Sequence, residues 1–180
     1  MAKKSDRILG GNQLRLPGAA GRIRDVELIT PHVAELPVTT TRRYEWDMAH
    51  RLPYHDGKCR RLHGHRYVAE IDVTGQLITG QVSSAGMVLD FGVLDKAINK
   101  AIGYWDHRTM LWSQDPLLDI MASDLAQRLD TLGVFTVPFI PTAENIAREV
   151  VRLLAKLPQG HHASRVRIYE TPKGWAEARG

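Results

Sequence analysis

The chain has 180 residues, 43% hydrophobic and 24% charged, which suits one soluble globular domain with an ordinary core. It holds neither the roughly 18-residue apolar run of a membrane span nor the apolar stretch of a secretory signal, and its one cysteine cannot close an intramolecular disulfide, so a cytoplasmic setting is expected. The net charge of +4 belongs to residues 1–43, with eight Lys/Arg against four acids; the rest is balanced, which argues against nucleic acid as its partner.

Residues 1–37 contain Gly, Arg and Pro with weak periodicity and are expected to form a partly flexible extension, with Leu28, Ile29, Val33 and Leu36 able to pack on the body. A single domain is expected over 38–180. The first clear strand covers about 38–50, where Tyr44, Trp46 and Met48 alternate with Arg43, Glu45 and Asp47. A polar loop with Cys59 near its end leads into a second strand, about 62–74, with Tyr67, Ala69, Ile71 and Val73 on one face. A third strand is expected around Met87–Leu89. It leads into a helix capped by Asp90, whose apolar stripe is Phe91, Leu94, Ala97, Ile98, Ala101 and Ile102.

Asp106-His107 follows. Asp115-Pro116 opens another helix (Leu117, Leu118, Met121, Leu125, Leu129) closed by Gly133, and residues 134–140 read as a short strand or an extended connector. Thr142 caps a strong helix with Ile146, Val150, Leu153, Leu154 and Leu157 inward. The last strand covers 165–170.

Parity along these strands carries the chemical argument. Residues two apart on a strand point to one face. His50 has the parity of Trp46 and Met48, His63 and His65 that of Tyr67 and Ala69, and Glu170 that of Val166 and Ile168. Burying one such polar group is common, but burying several is costly unless they meet. Three imidazoles suit a zinc site with one open position, and Cys59 could be a fourth ligand, a nucleophile or a base. Asp106 could orient His107 for proton transfer. Glu170 could accept two parallel N–H bonds of the kind that a pterin or guanine edge presents. Thr142 and Glu144 read mainly as a helix start, one that could also receive a polar ligand.

The ordered set Tyr44-Glu45-Trp46-Asp47-Met48-Ala49-His50-Arg51-Leu52, Cys59-x3-His63-Gly64-His65, Gly86-Met87-Val88-Leu89-Asp90-Phe91, Asp106-His107, Pro141-Thr142-Ala143-Glu144-Asn145 and Tyr169-Glu170-Thr171 resembles the 6-pyruvoyltetrahydropterin synthase superfamily over about residues 40–172. The short gap between Cys59 and His63 resembles the bacterial 6-carboxytetrahydropterin synthase branch. The resemblance implies zinc on His50, His63 and His65, Cys59 as proton acceptor, Asp106 and His107 as its relay, and Glu170 as pterin anchor.

It also implies an α+β tunnelling fold (T-fold): a four-stranded antiparallel sheet with two main helices on one face. Here the N-terminal extension and an inserted helix at about 113–140 would be additions. Homohexamers, as dimers of trimers with sites between subunits, are implied as well. The implied reaction converts 7,8-dihydroneopterin triphosphate to 6-carboxy-5,6,7,8-tetrahydropterin, releasing acetaldehyde and triphosphate, on the way to queuosine. Arg60, Arg61, Arg66 and Lys173 are unranked candidates for the triphosphate. Trp105 replaces the leucine often found before Asp-His in this family.

Overall fold

The computed structural model describes residues 36–125 and 133–180, all within one compact unit, His32–Gly180. The extension as far as residue 35, and Leu129, lie outside the described residues. Two long strands, β1 (Val38–His50) and β2 (His63–Gly75), run antiparallel in register from Val38 opposite Gly75 to His50 opposite His63. The inward set on these strands is buried: Trp46, Met48, Tyr67, Ala69, Ile71 and Val73 are all at most 3% exposed. Two helices, α1 (Phe91–Ile102) and α3 (Ala143–Leu153), place Leu94, Ile98 and Ile102, and Ile146, Ala147 and Val150, in the same core. Each large apolar side chain buried there contributes about 1.5–3 kcal/mol. Asp90 caps α1 by accepting from the Gly92 and Val93 N–H groups, and Thr142 caps α3 by accepting from Asn145 N.

The sheet has six strands, not four, and is mixed rather than antiparallel. Its order is β4-β3-β1-β2-β5-β6, with β3 Arg108–Trp112, β4 Val134–Val137, β5 Arg165–Thr171 and β6 Gly174–Arg179. β3 runs parallel to β1, with Met48 opposite Arg108, and β4 runs parallel to β3. The expected strand at Met87–Leu89 does not form. Its backbone is committed to its own loop, where Ile78 N donates to Met87 O at 2.8 Å and Gly86 N to Ile78 O at 2.8 Å. Val88 and Leu89 are buried nonetheless, which accounts for their apolar character. Between β3 and β4, α2 (Pro116–Leu125) opens on Asp115, whose Oδ1 accepts from Leu117 N. No helix among the described residues is long and apolar enough to cross a membrane.

Phe91 departs from the expected stripe. It is 50% exposed at the first turn of α1, with the Arg42 guanidinium 5.6 Å from its ring centroid. Chemical denaturation of Ile98→Ala is therefore expected to show a loss of roughly 2–5 kcal/mol. Phe91→Ala, which opens no core cavity, is expected to lose less than about 1 kcal/mol.

Candidate active site

The β1–β2 register builds the site. His50 ends β1 directly opposite His63, which begins β2, and His65 lies two residues on, opposite Met48. The three rings share the helix-covered face, with centroids 4.6 Å (His50–His63), 5.2 Å (His50–His65) and 5.0 Å (His63–His65) apart. Between the two β2 histidines, a Cβ on Gly64 would come within 3.2 Å of the Met48 carbonyl oxygen, so a side chain there would press on β1.

Backbone carbonyls aim two of the rings. His50 Nδ1 lies 2.7 Å from Pro141 O, just before α3, and His63 Nδ1 lies 2.7 Å from Arg61 O. Each carbonyl selects the tautomer with its proton on Nδ1, leaving Nε2 as a bare donor. His50 Nε2 is buried with no hydrogen-bond partner, and the ring is 1% exposed. One nitrogen from each histidine lies within 4.8 Å of the others. An orphaned buried nitrogen facing two more imidazoles is the donor set that a divalent transition metal completes. Among the described residues, Cys59 stands outside that group, which argues against a closed four-ligand site.

Burial pushes His50 down to about 4, opposed by its Pro141 hydrogen bond and reinforced by the neighbouring histidines. Burial, then His63, also lowers His65. Both shifts favour the neutral ring, the form that binds a metal. Beside them, Glu170 Oε1 lies 3.8 Å from His50 Nε2 and accepts from the Tyr67 hydroxyl at 3.5 Å. Burial, followed by the charge of Glu144, raises Glu170, while His63 and the Tyr67 bond oppose the rise. Glu144 lies in the first turn of α3, the helix that Thr142 caps. Glu170 also falls at a break in the β5–β6 register, between Tyr169 opposite Trp175 and Thr171 opposite Gly174. Such bulges re-aim a side chain next to a site.

Cys59 is a half-buried free thiol in the turn Lys58–Arg60. Its carbonyl accepts from Leu52 N at 2.9 Å, tying the turn to the chain just beyond His50. Burial pushes the Tyr67 hydroxyl well up, and Glu170 and then Cys59 add to the rise. The sequence reading counted Tyr67 only as core; the hydroxyl on a face carrying three histidines was the signal. Just after His50, Arg51 Nε meets the buried Asp115 carboxylate at 3.1 Å, fixing the end of β1 to the cap of α2.

Asp106 and His107 pair with each other, Nδ1 to Oδ2 at 2.9 Å. The pair is pinned to β1: Asp47 N donates to Asp106 Oδ1 at 3.0 Å and His107 N donates to Asp47 O at 2.7 Å. The Asp47 bond, then His107, holds Asp106 below the usual carboxylate range despite opposing burial. His107 adopts a φ of 58°, a strained backbone that these contacts hold in place. Its ring lies with the Asp47 carboxylate, whose parity on β1 is opposite to that of His50. Among the described residues, neither Asp106 nor His107 makes a hydrogen bond or ion pair with Cys59. Asp47, Asp106 and His107 also bring ligand atoms within 4.8 Å of one another, but there the Arg66 guanidinium already neutralises the Asp47 carboxylate, at 2.8 and 3.2 Å.

A cavity of about 630 Å³ runs along β1, β2 and β5 and reaches Gly64, His65, Glu170 and Thr171. A second, of about 450 Å³, has Asp47, Gly64, His65 and His107 in its wall. The neutral burial of His50 has a consequence for the metal-free protein. Between its ordinary value of 6.5 and about 4, the unfolded chain binds a proton there that the folded chain refuses. Stability of the metal-free chain should thus fall as pH drops through that window, by up to about 3 kcal/mol from this group. Chemical denaturation at pH 7 and pH 4.5 checks it, with His50→Phe expected to flatten the dependence.

The sequence profile of the family described as 6-pyruvoyl tetrahydropterin synthase matches residues 39–180. A Haemophilus influenzae protein named 6-carboxy-5,6,7,8-tetrahydropterin synthase is 36% identical over 138 residues, covering 76% of this chain and 95% of its own length. A Rickettsia felis protein of the same name is 33% identical over 147 residues, covering 78% and 99%. The solved 6-pyruvoyl tetrahydropterin synthase of Caenorhabditis elegans superposes with a TM-score of 0.56 at 25% identity, covering 81% of this chain and 96% of that one. The strand pair, the histidine cluster and these likenesses together place the chain in the 6-pyruvoyl tetrahydropterin synthase family.

Proposed function

We propose that the chain is a zinc-dependent lyase converting 7,8-dihydroneopterin triphosphate to 6-carboxy-5,6,7,8-tetrahydropterin, with release of acetaldehyde and triphosphate, as a step toward queuosine. The observation that carries this reading is the convergence of His50, His63 and His65 beside Glu170, with His50 Nε2 buried and unpartnered. The names of the bacterial relatives favour the carboxy product over the pyruvoyl one.

His50, His63 and His65 would hold the zinc, which supplies Lewis acidity to the side-chain oxygens of the substrate. Glu170 accepts the paired N–H groups of the pterin ring, and the Tyr67 hydroxyl on Oε1 fixes the rotamer that presents them. Thr142 and Glu144 border this ring site from the start of α3. The Cys59 thiolate takes a proton from the substrate side chain as general base. Its relay, Asp106 and His107, comes from a neighbouring copy of the chain in a homohexamer. Their attachment to Asp47, on the sheet face away from His50, supports that division of labour.

Three outcomes test the reading. Wild-type protein given dihydroneopterin triphosphate should release acetaldehyde; a pyruvoyl product without acetaldehyde overturns the choice of reaction. Cys59→Ala should keep its zinc while kcat falls by about 10²-fold or more, the scale of a lost general base. His107→Ala and Cys59→Ala should each be inactive alone. After joint refolding at equal amounts, about a quarter of the sites would pair an intact thiol with an intact imidazole across a ring interface. Activity that stays at zero in the mixture contradicts a site shared between copies.

A further inference from the structure

The arginines of β1, β2, β5 and β6 are already engaged. Arg42 holds Asp95; Arg43 holds Glu45; Arg66 holds Asp47; and Arg165, Arg167 and Arg179 converge on Glu177. The turn that carries Cys59 is different. Lys58, Arg60 and Arg61 are exposed, and among the described residues none of the three has a carboxylate partner. Asp56, the acid nearest in sequence, pairs with none of them. Three like charges within four residues repel one another, and an anion drawn among them relieves that repulsion.

The backbone under these side chains is fixed on three sides. Leu52 N donates to Cys59 O at 2.9 Å, Arg61 N to Lys58 O at 3.0 Å, and the Arg61 carbonyl meets His63 Nδ1 at 2.7 Å. Guanidinium groups launched from a rigid turn lose less freedom when they bind. Glu170 Oε1 lies 3.8 Å from His50 Nε2 in the histidine cluster, and the turn with Cys59, Arg60 and Arg61 runs straight into that cluster, the Arg61 carbonyl holding His63 Nδ1.

We infer that Arg60 and Arg61 form the polyphosphate subsite of this active centre, gripping the triphosphate of the substrate. The assignment rests on the proposed function, whose substrate carries a bicyclic ring, then a hydroxylated side chain, then a triphosphate. The ring-accepting carboxylate, the histidine cluster and the unpaired arginines beside it in the chain supply one partner for each of these parts. Planar guanidiniums suit phosphate oxygens, which they can hold in pairs. Arg43 and Arg66 line the larger cavity and are rival cations, but both are held by their own carboxylates; Lys173, exposed and unpaired among the described residues, is a single charge in the β5–β6 turn without a second cation beside it in the chain.

Calorimetric titration of the zinc-loaded protein with inorganic tripolyphosphate, and separately with dephosphorylated dihydroneopterin, tests the inference. Arg60→Ala/Arg61→Ala should weaken tripolyphosphate about tenfold or more, as loss of charge-assisted bonds implies, and reduce the dependence of binding on salt. Dihydroneopterin should bind it as it binds wild type, because Glu170 and the histidines are untouched. Arg43→Ala/Arg66→Ala should keep wild-type tripolyphosphate affinity. The inference is overturned if Arg60→Ala/Arg61→Ala binds tripolyphosphate like wild type, if it loses both ligands alike, if Arg43→Ala/Arg66→Ala carries the loss, or if wild type binds no tripolyphosphate. These titrations need no turnover, so a protein that fails to release acetaldehyde can still pass or fail them.

Discussion

The antiparallel register of β1 and β2 is the constraint on which everything else depends. It sets His50 directly opposite His63 and leaves His65 one step along the same face. A slip of one residue along β2 would turn His63, His65 and the apolar residues that share their face together to the other side of the sheet. Trp46, stacked on Tyr67 with ring centroids 5.3 Å apart, and the buried Ile71 and Val73 hold that register through the core. The packing that stabilises the fold is therefore the packing that aligns the donors.

Helix α3 and the cysteine turn complete what the strands begin. Pro141 supplies a carbonyl to His50 and Arg61 supplies one to His63, so both imidazoles are oriented by backbone rather than by another titrating side chain. The residual cost, a buried and unpartnered Nε2 on His50, is what a bound cation would offset. Glu170, raised by burial and by Glu144, stands against this cluster from the bulge in β5. Carboxylate and imidazoles thereby meet at the ends of β1, β2 and β5, and the turn that carries Cys59 is tied by its backbone to the segment just beyond His50.

Strand parity made much of this legible in the sequence. The placement of His50, His63, His65 and Glu170 on the apolar side follows from period-two alternation on long strands, and the structure has them there. Elements too short to show a period were hidden. β3 has five residues and β6 alternates exposed with half-buried positions, so the sheet was read two strands short and without its parallel pairs. Met87–Leu89 looked like a strand because Val88 and Leu89 are buried, yet its hydrogen bonds stay in its own loop. Neither the attachment of Asp106-His107 to Asp47 nor the engagement of Arg66 could be read from spacing, since both depend on which strand neighbours β1.

X-ray absorption at the zinc edge of the metal-loaded protein tests the central claim most directly. Three histidine ligands with Cys59 free predict nitrogen or oxygen scatterers at about 2.0–2.1 Å and no sulfur. A sulfur shell at about 2.3 Å would make Cys59 a ligand and contradict the account, as would a zinc environment left unchanged when His50 is replaced.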